Sequence, residues 1–508
     1  MDLTPLARGY ARYRALRLGR ENAERAQERQ LGRLLRTAAA TRFGRDHGFQ
    51  SIHSVAGYQS RVPLRTYEDL RRDYWRADFP HIGGATWPEP IREFAITAGT
   101  SSDDYKLIPC SSAIMRSHMH AIRELFVQHL LARPASRILG GSNLVLYGDR
   151  ELRELAPGIV SCDLTGLGGA HVPRLLRRFR FVPRDVELLV GWEAKIDRLA
   201  QQALSGDIRA LAGFPSWLLW FFARLAQAAG KREARIAELL PNLELIVHGG
   251  CHPAPHRALF ERIMEGSHAE LRETYAASEA FLAVGDRGFG EGMRLLVDNG
   301  IFYEFVPVEE MTQARPTRHW IADVQTGREY AVILTTCAGL WSYVLGDTVQ
   351  FVDRCPPRLQ VTGRLGARLD DFGEHVIQAQ LDEAVAAGAA AIGRGVADYT
   401  VFGVVPDRPG VPGRHDYVVE FSPPVAADEP IRRFAAELDA ALCRLNGNYR
   451  AYRKRDAALA PPGVINAPAG TFHAWMKQRN RVGGQRKVPR VLKDRSLQQS
   501  LLDLIATR

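Results

Sequence analysis

Along residues 5–40 the apolar positions fall at helical spacing among Ala, Leu, Arg and Glu, and residues 1–20 read as an amphipathic opening helix. Gly44, Gly48 and Pro63 punctuate a loop region before a second helix-like run over residues 67–75. Helical periodicity returns over residues 111–132, 186–204 and 217–229, and a buried strand is expected at 142–147. Short β-rich runs bounded by Gly, Pro or Asn then follow at 243–247, 293–297, 301–306, 330–335 and 348–352. This alternation predicts an α/β fold whose large body mixes sheets and helices. Gly363-Arg364-Leu365-Gly366 is a hinge candidate. Beyond it, helices at 375–387 and 431–445 and strands at 401–405 and 416–421 make a smaller α+β segment. The expected division is a large domain over residues 1–364 and a mobile cap over residues 365–508.

Composition narrows the class. A chain of 508 residues exceeds what one hydrophobic core organises, and 46% hydrophobic with 24% charged residues excludes disorder as a description of the whole. The 67 basic and 57 acidic residues leave a net charge of +10, which suits an anionic partner such as ATP, a carboxylic acid, RNA or an acidic carrier protein. A solvated arginine-rich surface explains the same sign. Aromatics are not interleaved with a concentrated basic run, so a nucleic-acid stacking platform is not expected. The six cysteines lack C-x-x-C spacing, which argues against a zinc site or a disulfide framework and for a reducing cytoplasm. The opening residues carry Arg8, Arg12, Arg14, Arg17 and Arg20 without a continuous apolar core, so no secretory signal is expected. The run at 217–229 is too short to span a bilayer and contains Arg224, which points to a buried or half-buried helix.

Four segments carry candidate chemistry. In Thr97-Ala98-Gly99-Thr100-Ser101-Ser102-Asp103-Asp104-Tyr105-Lys106, glycine lets backbone N–H groups turn toward an anion, hydroxyls add donors, and Lys106 adds a mobile charge. The Walker spacing is absent, and a polar turn capping a helix fits the residues too. Tyr275-Ala276-Ala277-Ser278-Glu279 offers a ring to stack on adenine, small residues for close approach and a carboxylate for Mg2+, or else a partly buried tyrosine beside a surface glutamate. In Trp341-Ser342-Tyr343-Val344-Leu345-Gly346-Asp347, a turn beside a sheet would project Asp347 toward a diol, unless Gly-Asp is turn chemistry alone. Gly483-Gly484-Gln485-Arg486-Lys487 places a cation on a segment able to swing, or forms a solvated basic face.

Together and in this order, the four segments resemble the Gretchen Hagen acyl acid amido synthetases and their bacterial relatives, within the adenylate-forming superfamily. Thr41-Arg42-Phe43-Gly44-Arg45-Asp46-His47-Gly48-Phe49, Val62-Pro63-Leu64-Arg65-Thr66-Tyr67-Glu68-Asp69-Leu70, Val247-His248-Gly249-Gly250 and Asn299-Gly300-Ile301-Phe302-Tyr303-Glu304-Phe305 are similar to family sequence, as are Gly373-Glu374 and Gly470-Thr471-Phe472. The resemblance covers nearly the whole chain. It implies an ATP-dependent ligase that adenylates a small carboxylic acid, releases pyrophosphate and passes the acyl group to an amino acid or other amine. Thr100, Ser101 and Lys106 would hold phosphates, with Gly99 and Ser102 in the same loop. Tyr275, Ala276 and Ser278 would line the adenine pocket, Glu279 would ligate Mg2+, Asp347 would bind ribose with Tyr343 beside it, and Lys487 would meet the α-phosphate, with Arg364 near the hinge. An amine of ordinary pKa ~8 is partly neutral at pH 7, so capture needs no strong general base.

The sequence departs from the family pattern in places. Ala98 replaces a usual serine, and Asp103-Asp104 stand where glycine and a basic or polar residue are usual. At ~4 Å and an effective dielectric near 20, each uncompensated like-charge pair costs about 4 kcal/mol, so the two carboxylates are expected to face outward. Ser342 and Val344 stand where plant members carry arginines, removing cations from near the nucleotide, and Leu365-Gly366-Ala367 lacks the basic residue usual after the hinge arginine. Cys251 and His252 read as pocket lining, and His118 and His120 diverge on a helix, so neither pair is expected to be catalytic or to bind metal. Two other classes compete with the amide ligase: a non-catalytic binding protein on the same fold, and an enzyme delivering the acyl group to a thiol.

Overall fold

The computed structural model describes all residues except 1, 99–104, 147–151, 182, 184–185, 187–188, 190–191, 232–233, 250–256, 367, 373, 406–411, 454–458 and 480–486. The chain falls into two units: Met1–Gly213, Asn242–Gly250 and His268–Val361 form the first, and Phe214–Pro241, Cys251–Ser267 and Thr362–Arg508 the second. The second unit thus takes two stretches from before the hinge candidate as well as the C-terminal part.

In the first unit, β1 (Glu93–Ala98), β2 (Tyr105–Cys110), β3 (Ser142–Val145), β4 (Arg153–Ala156) and β5 (Ile159–Cys162) come first, and β2-β1-β5-β4 join as a four-stranded sheet. Then follow β6 (Ile208–Gly213), β7 (Leu245–Gly249), β8 (Glu270–Ala276), β9 (Phe281–Gly285) and β10 (Met293–Leu295). After these come β11 (Ile301–Pro307), β12 (His319–Trp320), β13 (Glu329–Thr336), β14 (Tyr343–Arg354) and β15 (Pro357–Arg364). With β3 they build an eleven-stranded sheet ordered β12-β11-β13-β14-β15-β10-β9-β8-β7-β6-β3. Pairing is parallel from β3 through β8 and antiparallel from β8 through β10. Mixed sheets of this kind belong to α/β proteins, as the alternation of runs predicts.

The core of this unit lies against β11 and β13, whose residues are buried on both faces. Gln27, on the helix Ala23–Ala38, is spliced into that core: its amide donates to the Val297 and Ile301 carbonyls at 2.8 and 2.9 Å and accepts from Tyr303 N–H at 2.9 Å. A buried amide is stable there because both ends are paired. The helix Ser112–Ala132 starts where Ser111 Oγ accepts the Ile114 N–H at 3.0 Å, and it packs Ala121 and Leu125 with Phe281 and Val284 of β9.

The opening helix, Thr4–Gly19, is not amphipathic: Leu6, Tyr13 and Leu16 are exposed while Arg14 is buried. Arg14 is drawn in by two distant carboxylates, donating to Glu124 at 2.7 Å and Asp298 at 2.8 Å.

In the second unit, β16 (Gly395–Val404), β17 (Arg414–Ser422) and β18 (Gly463–Ala467) form a three-stranded sheet. The helices Gln378–Ala391 and Asp428–Leu445 pack together at Gly388, where a Cβ would stand 2.9 Å from the Phe434 carbonyl oxygen. The first of these begins three residues later than its periodicity predicts. His375 adopts φ 51° and Val376 bridges back to Leu369, which removes residues 375–377 from the helix. No helix among the described residues is long and apolar enough to cross a membrane.

Candidate functional site

The tight connection between β8 and β9 is closed by the Ala277 N–H donating to the Ala280 carbonyl at 2.8 Å. It carries Ser278 and Glu279, both buried, while Tyr275 is a buried ring next to the end of β8 and Ala276, its last residue, is exposed. Tyr343 opens β14, is fully buried, and donates its hydroxyl to Glu279 Oε1 at 3.0 Å.

Asp347 sits inside β14, not on the turn its Gly-Asp dipeptide predicts. Ala331 faces Thr348 and Ile333 faces Val344, so Val332 alone spans Leu345, Gly346 and Asp347. Such a bulge requires a residue that tolerates positive φ, and Gly346 stands at φ 91°. The bulge takes Asp347 out of the ladder, and its Oδ2 accepts the Tyr275 hydroxyl at 3.0 Å. In the sheet order β14 and β8 are four places apart, about 19 Å in a flat sheet at ~4.8 Å per strand. Two side chains cannot bridge that span, so the sheet curls to bring them together.

Burial pushes the Glu279 carboxyl above its ordinary value, and the Asp347 charge pushes it the same way; its own backbone N–H, the Tyr343 hydroxyl and Lys106 oppose the rise. Lys106, on β2, lies with Nζ 5.7 Å from the Tyr67 ring centroid. Tyr67 also accepts the Leu107 N–H at 3.0 Å, so one ring braces both the cation and its strand. Sequence reasoning missed Tyr67, although its signal was present: Thr66 and Asp69 form the capping box that opens the helix Tyr67–Leu70.

Ser342 is fully buried. Its Oγ accepts from Arg318 Nη2 at 2.7 Å, and Arg318 is paired with buried Glu304, so a guanidinium does stand at this segment, supplied from another part of the chain.

Tyr275, Glu279, Tyr343, Asp347 and Lys106 are therefore linked in the first unit by hydrogen bonds and electrostatics. Lys487 and Arg364 belong to the second unit and both are exposed. Lys487 Nζ stands 4.9 Å from the Phe214 ring centroid, and Arg364 ends β15 beside Gly363, where a Cβ would come within 2.9 Å of Gln378 Cβ. Gly99, Thr100, Ser101, Ser102, Asp103, Asp104, Cys251, His252, Gly483 and Gly484 lie outside the described residues. Burial pushes the His118 imidazole down to about 4 and also lowers His120.

The buried Glu279 carboxylate feels both the like charge of Asp347 and the opposite charge of Lys106. Mg2+ takes one or two carboxylates and completes its shell from phosphate oxygens and water, a chemistry the Glu279 carboxylate fits. Among the described residues no group of three or more His, Cys, Asp or Glu is placed to hold a metal without such help.

Three family models match the chain in order: the GH3 family N-terminal domain over residues 12–166, the central domain over 294–364 and the C-terminal domain over 379–496. The indole-3-acetic acid-amido synthetase GH3.8 of Oryza sativa subsp. indica is 23% identical, over 92% of this chain and 88% of its own length. Among solved structures, the GH3.15 acyl acid amido synthetase in complex with 2,4-DB superposes with a TM-score of 0.79 at 16% identity, covering 98% of this chain and 96% of that one. A 2-hydroxyisobutyryl-CoA ligase in complex with 2-HIB-AMP superposes with a TM-score of 0.60 at 14% identity, covering 95% and 92%. At such identities the structural likeness shows the fold.

Proposed function

Because this chain belongs to the GH3 family of the adenylate-forming superfamily, we propose that it is an ATP-dependent acyl acid amido synthetase. A carboxylate oxygen attacks the α-phosphorus of ATP, the bond to the β-phosphate oxygen breaks, and pyrophosphate leaves. An amino acid or other amine then attacks the acyl carbon, its proton is lost, and AMP departs. Little covalent protein chemistry is required, so the residues serve to position and to stabilise charge.

The observation that carries this reading is the pair of tyrosine-to-carboxylate hydrogen bonds, Tyr275 to Asp347 and Tyr343 to Glu279, with the Lys106 charge acting on Glu279. In this assignment Asp347 accepts the ribose hydroxyls, Tyr275, Ala276 and Ser278 line the adenine pocket, and Lys106 holds phosphate with Gly99, Thr100, Ser101 and Ser102. Glu279 would hold Mg2+, which when bound neutralises phosphate charge. Lys487 is assigned to the α-phosphate, with Arg364 near the hinge. We assign the enzyme to the cytoplasm.

The test is incubation of the purified protein with ATP, Mg2+ and a panel of aromatic and fatty acids, reading AMP, pyrophosphate and the acyl product with an amino acid mixture. The expected result is an amide, with Lys487→Ala abolishing adenylation at an unchanged melting temperature. ATP binding without AMP for any acid would replace the ligase with a binding protein. A thioester formed with coenzyme A, and no amide, would move the chain to the thiol-delivering class.

A further inference from the structure

Within the fully buried strand β11 lies a charge, Glu304, and it is matched by Arg318, itself nearly buried just before β12. Arg318 uses all five of its donors. Nε and Nη2 reach the two Glu304 oxygens at 2.9 Å each, Nη1 reaches the Gln59 and Val62 carbonyls at 2.9 and 2.6 Å, and the remaining Nη2 hydrogen reaches Ser342 Oγ at 2.7 Å. Every other polar group of Ser342 is held as well. Its N–H donates to Thr335 Oγ1 at 3.0 Å, its carbonyl accepts the Arg65 N–H at 3.0 Å, and its Oγ stands 2.9 Å from the Tyr58 hydroxyl.

Ser342 has φ 45°, a left-handed backbone that a serine adopts only where its surroundings enforce it. The next residue is Tyr343, whose hydroxyl meets Glu279. A serine relaxing out of this conformation would rotate the start of β14 and carry the tyrosine hydroxyl away. Core packing alone does not account for an ion pair that spends its last donor on a strained serine.

We propose that Arg318 and Glu304 are positioning residues that lock the left-handed Ser342 and thereby set the Tyr343 hydroxyl on Glu279. The inference rests on the ligase reading for its kinetic consequence, but its geometric claim is separate. A lysine at 318 would offer a point charge with three donors and release the serine or the loop carbonyls.

The experiment is a double-mutant cycle on pyrophosphate release with Ser342→Gly, which accepts positive φ but removes the hydroxyl, and Arg318→Lys, each alone and combined with Tyr343→Phe. Each single variant is expected to lower kcat/KM roughly tenfold, the worth of one hydrogen bond to a charged group. Each double variant is expected to be no worse than Tyr343→Phe alone, because residues acting through one group are not additive. Multiplicative losses, or no loss in Ser342→Gly and Arg318→Lys, would overturn the proposal. Crystal structures of the single variants decide the geometry whether or not the wild type adenylates: a Tyr343 hydroxyl displaced from Glu279 supports the lock, and one retained within hydrogen-bond distance refutes it. Absence of pyrophosphate from the wild type, with the hydroxyl displaced in the variants, would reject the ligase and keep the lock.

Discussion

The Tyr275 hydroxyl donates to Asp347 Oδ2 at 3.0 Å although the two residues lie 72 positions apart in the chain. That bond fixes the direction of a carboxylate which the β14 bulge has released from the ladder. Tyr275→Phe keeps the ring and removes the bond, so the ATP KM is expected to rise roughly tenfold with a smaller change in kcat. Initial rates of pyrophosphate release against ATP concentration check it, and an unchanged KM would remove Asp347 orientation from the account.

In its proposed role Glu279 must be ionised to hold a cation, and burial with the Asp347 charge keeps its proton on to higher pH than usual. Tyr343 stabilises the ionised form, so Tyr343→Phe raises the carboxyl further. The acidic limb of the kcat/KM profile is expected to move to higher pH in Tyr343→Phe. A limb that stays in place shows that another group titrates there.

Gly346 adopts φ 91° at the centre of the bulge. An alanine there pays roughly 1–3 kcal/mol in backbone strain or straightens the strand. Gly346→Ala is expected to lower the melting temperature and raise the ATP KM together, as read by calorimetry and kinetics on one preparation. A loss of stability with an unchanged KM would separate the bulge from nucleotide binding.

Away from the proposed nucleotide site, His129 is buried between two glutamates. Nδ1 stands 2.5 Å from Glu270 Oε1, and Nε2 stands 3.0 Å from Ser136 Oγ, which itself donates to Glu244. Burial works against the charge on the ring, yet the hydrogen bonds with Glu244 and Glu270 raise it above its ordinary value, and both carboxyls are held at about 2. The raised imidazole contributes fully below its ordinary 6.5 and fades as pH climbs through its folded value; the depressed carboxyls contribute fully above their ordinary 4.5 and fade as pH falls toward about 2. His129→Gln is therefore expected to cost about 2 kcal/mol near the middle of that window and progressively less on the alkaline side. Melting temperature against pH for both proteins measures it, and a pH-independent difference would show a packing effect alone.

The sequence made some of this legible. The helix Ser112–Ala132 follows from its own apolar spacing, and Tyr275, Glu279 and Asp347 were singled out by residue type. Their convergence was not readable, because it depends on the curl of a sheet whose neighbouring strands come from distant parts of the chain. Gly346-Asp347 looked like a turn because a bulge and a turn both require positive φ at the glycine. Ser342 looked like a lost cation because Arg318, which brings a guanidinium to that serine, lies 24 residues away. The opening helix was misjudged for a similar reason: what buries Arg14 is Glu124 and Asp298, which no local pattern reveals.

The three-part make-up of the second unit has a consequence for biosynthesis. During translation the ribosome delivers residues 214–241 and 251–267 well before Thr362 emerges, so Leu259 waits without Gly395, against which it will lie so closely that a Cβ there would come within 2.3 Å of its side chain. Those early stretches must stay soluble, or be shielded by a chaperone, until the last third of the nascent polypeptide arrives. A fragment beginning after Arg364 would leave the ribosome lacking part of its own interior.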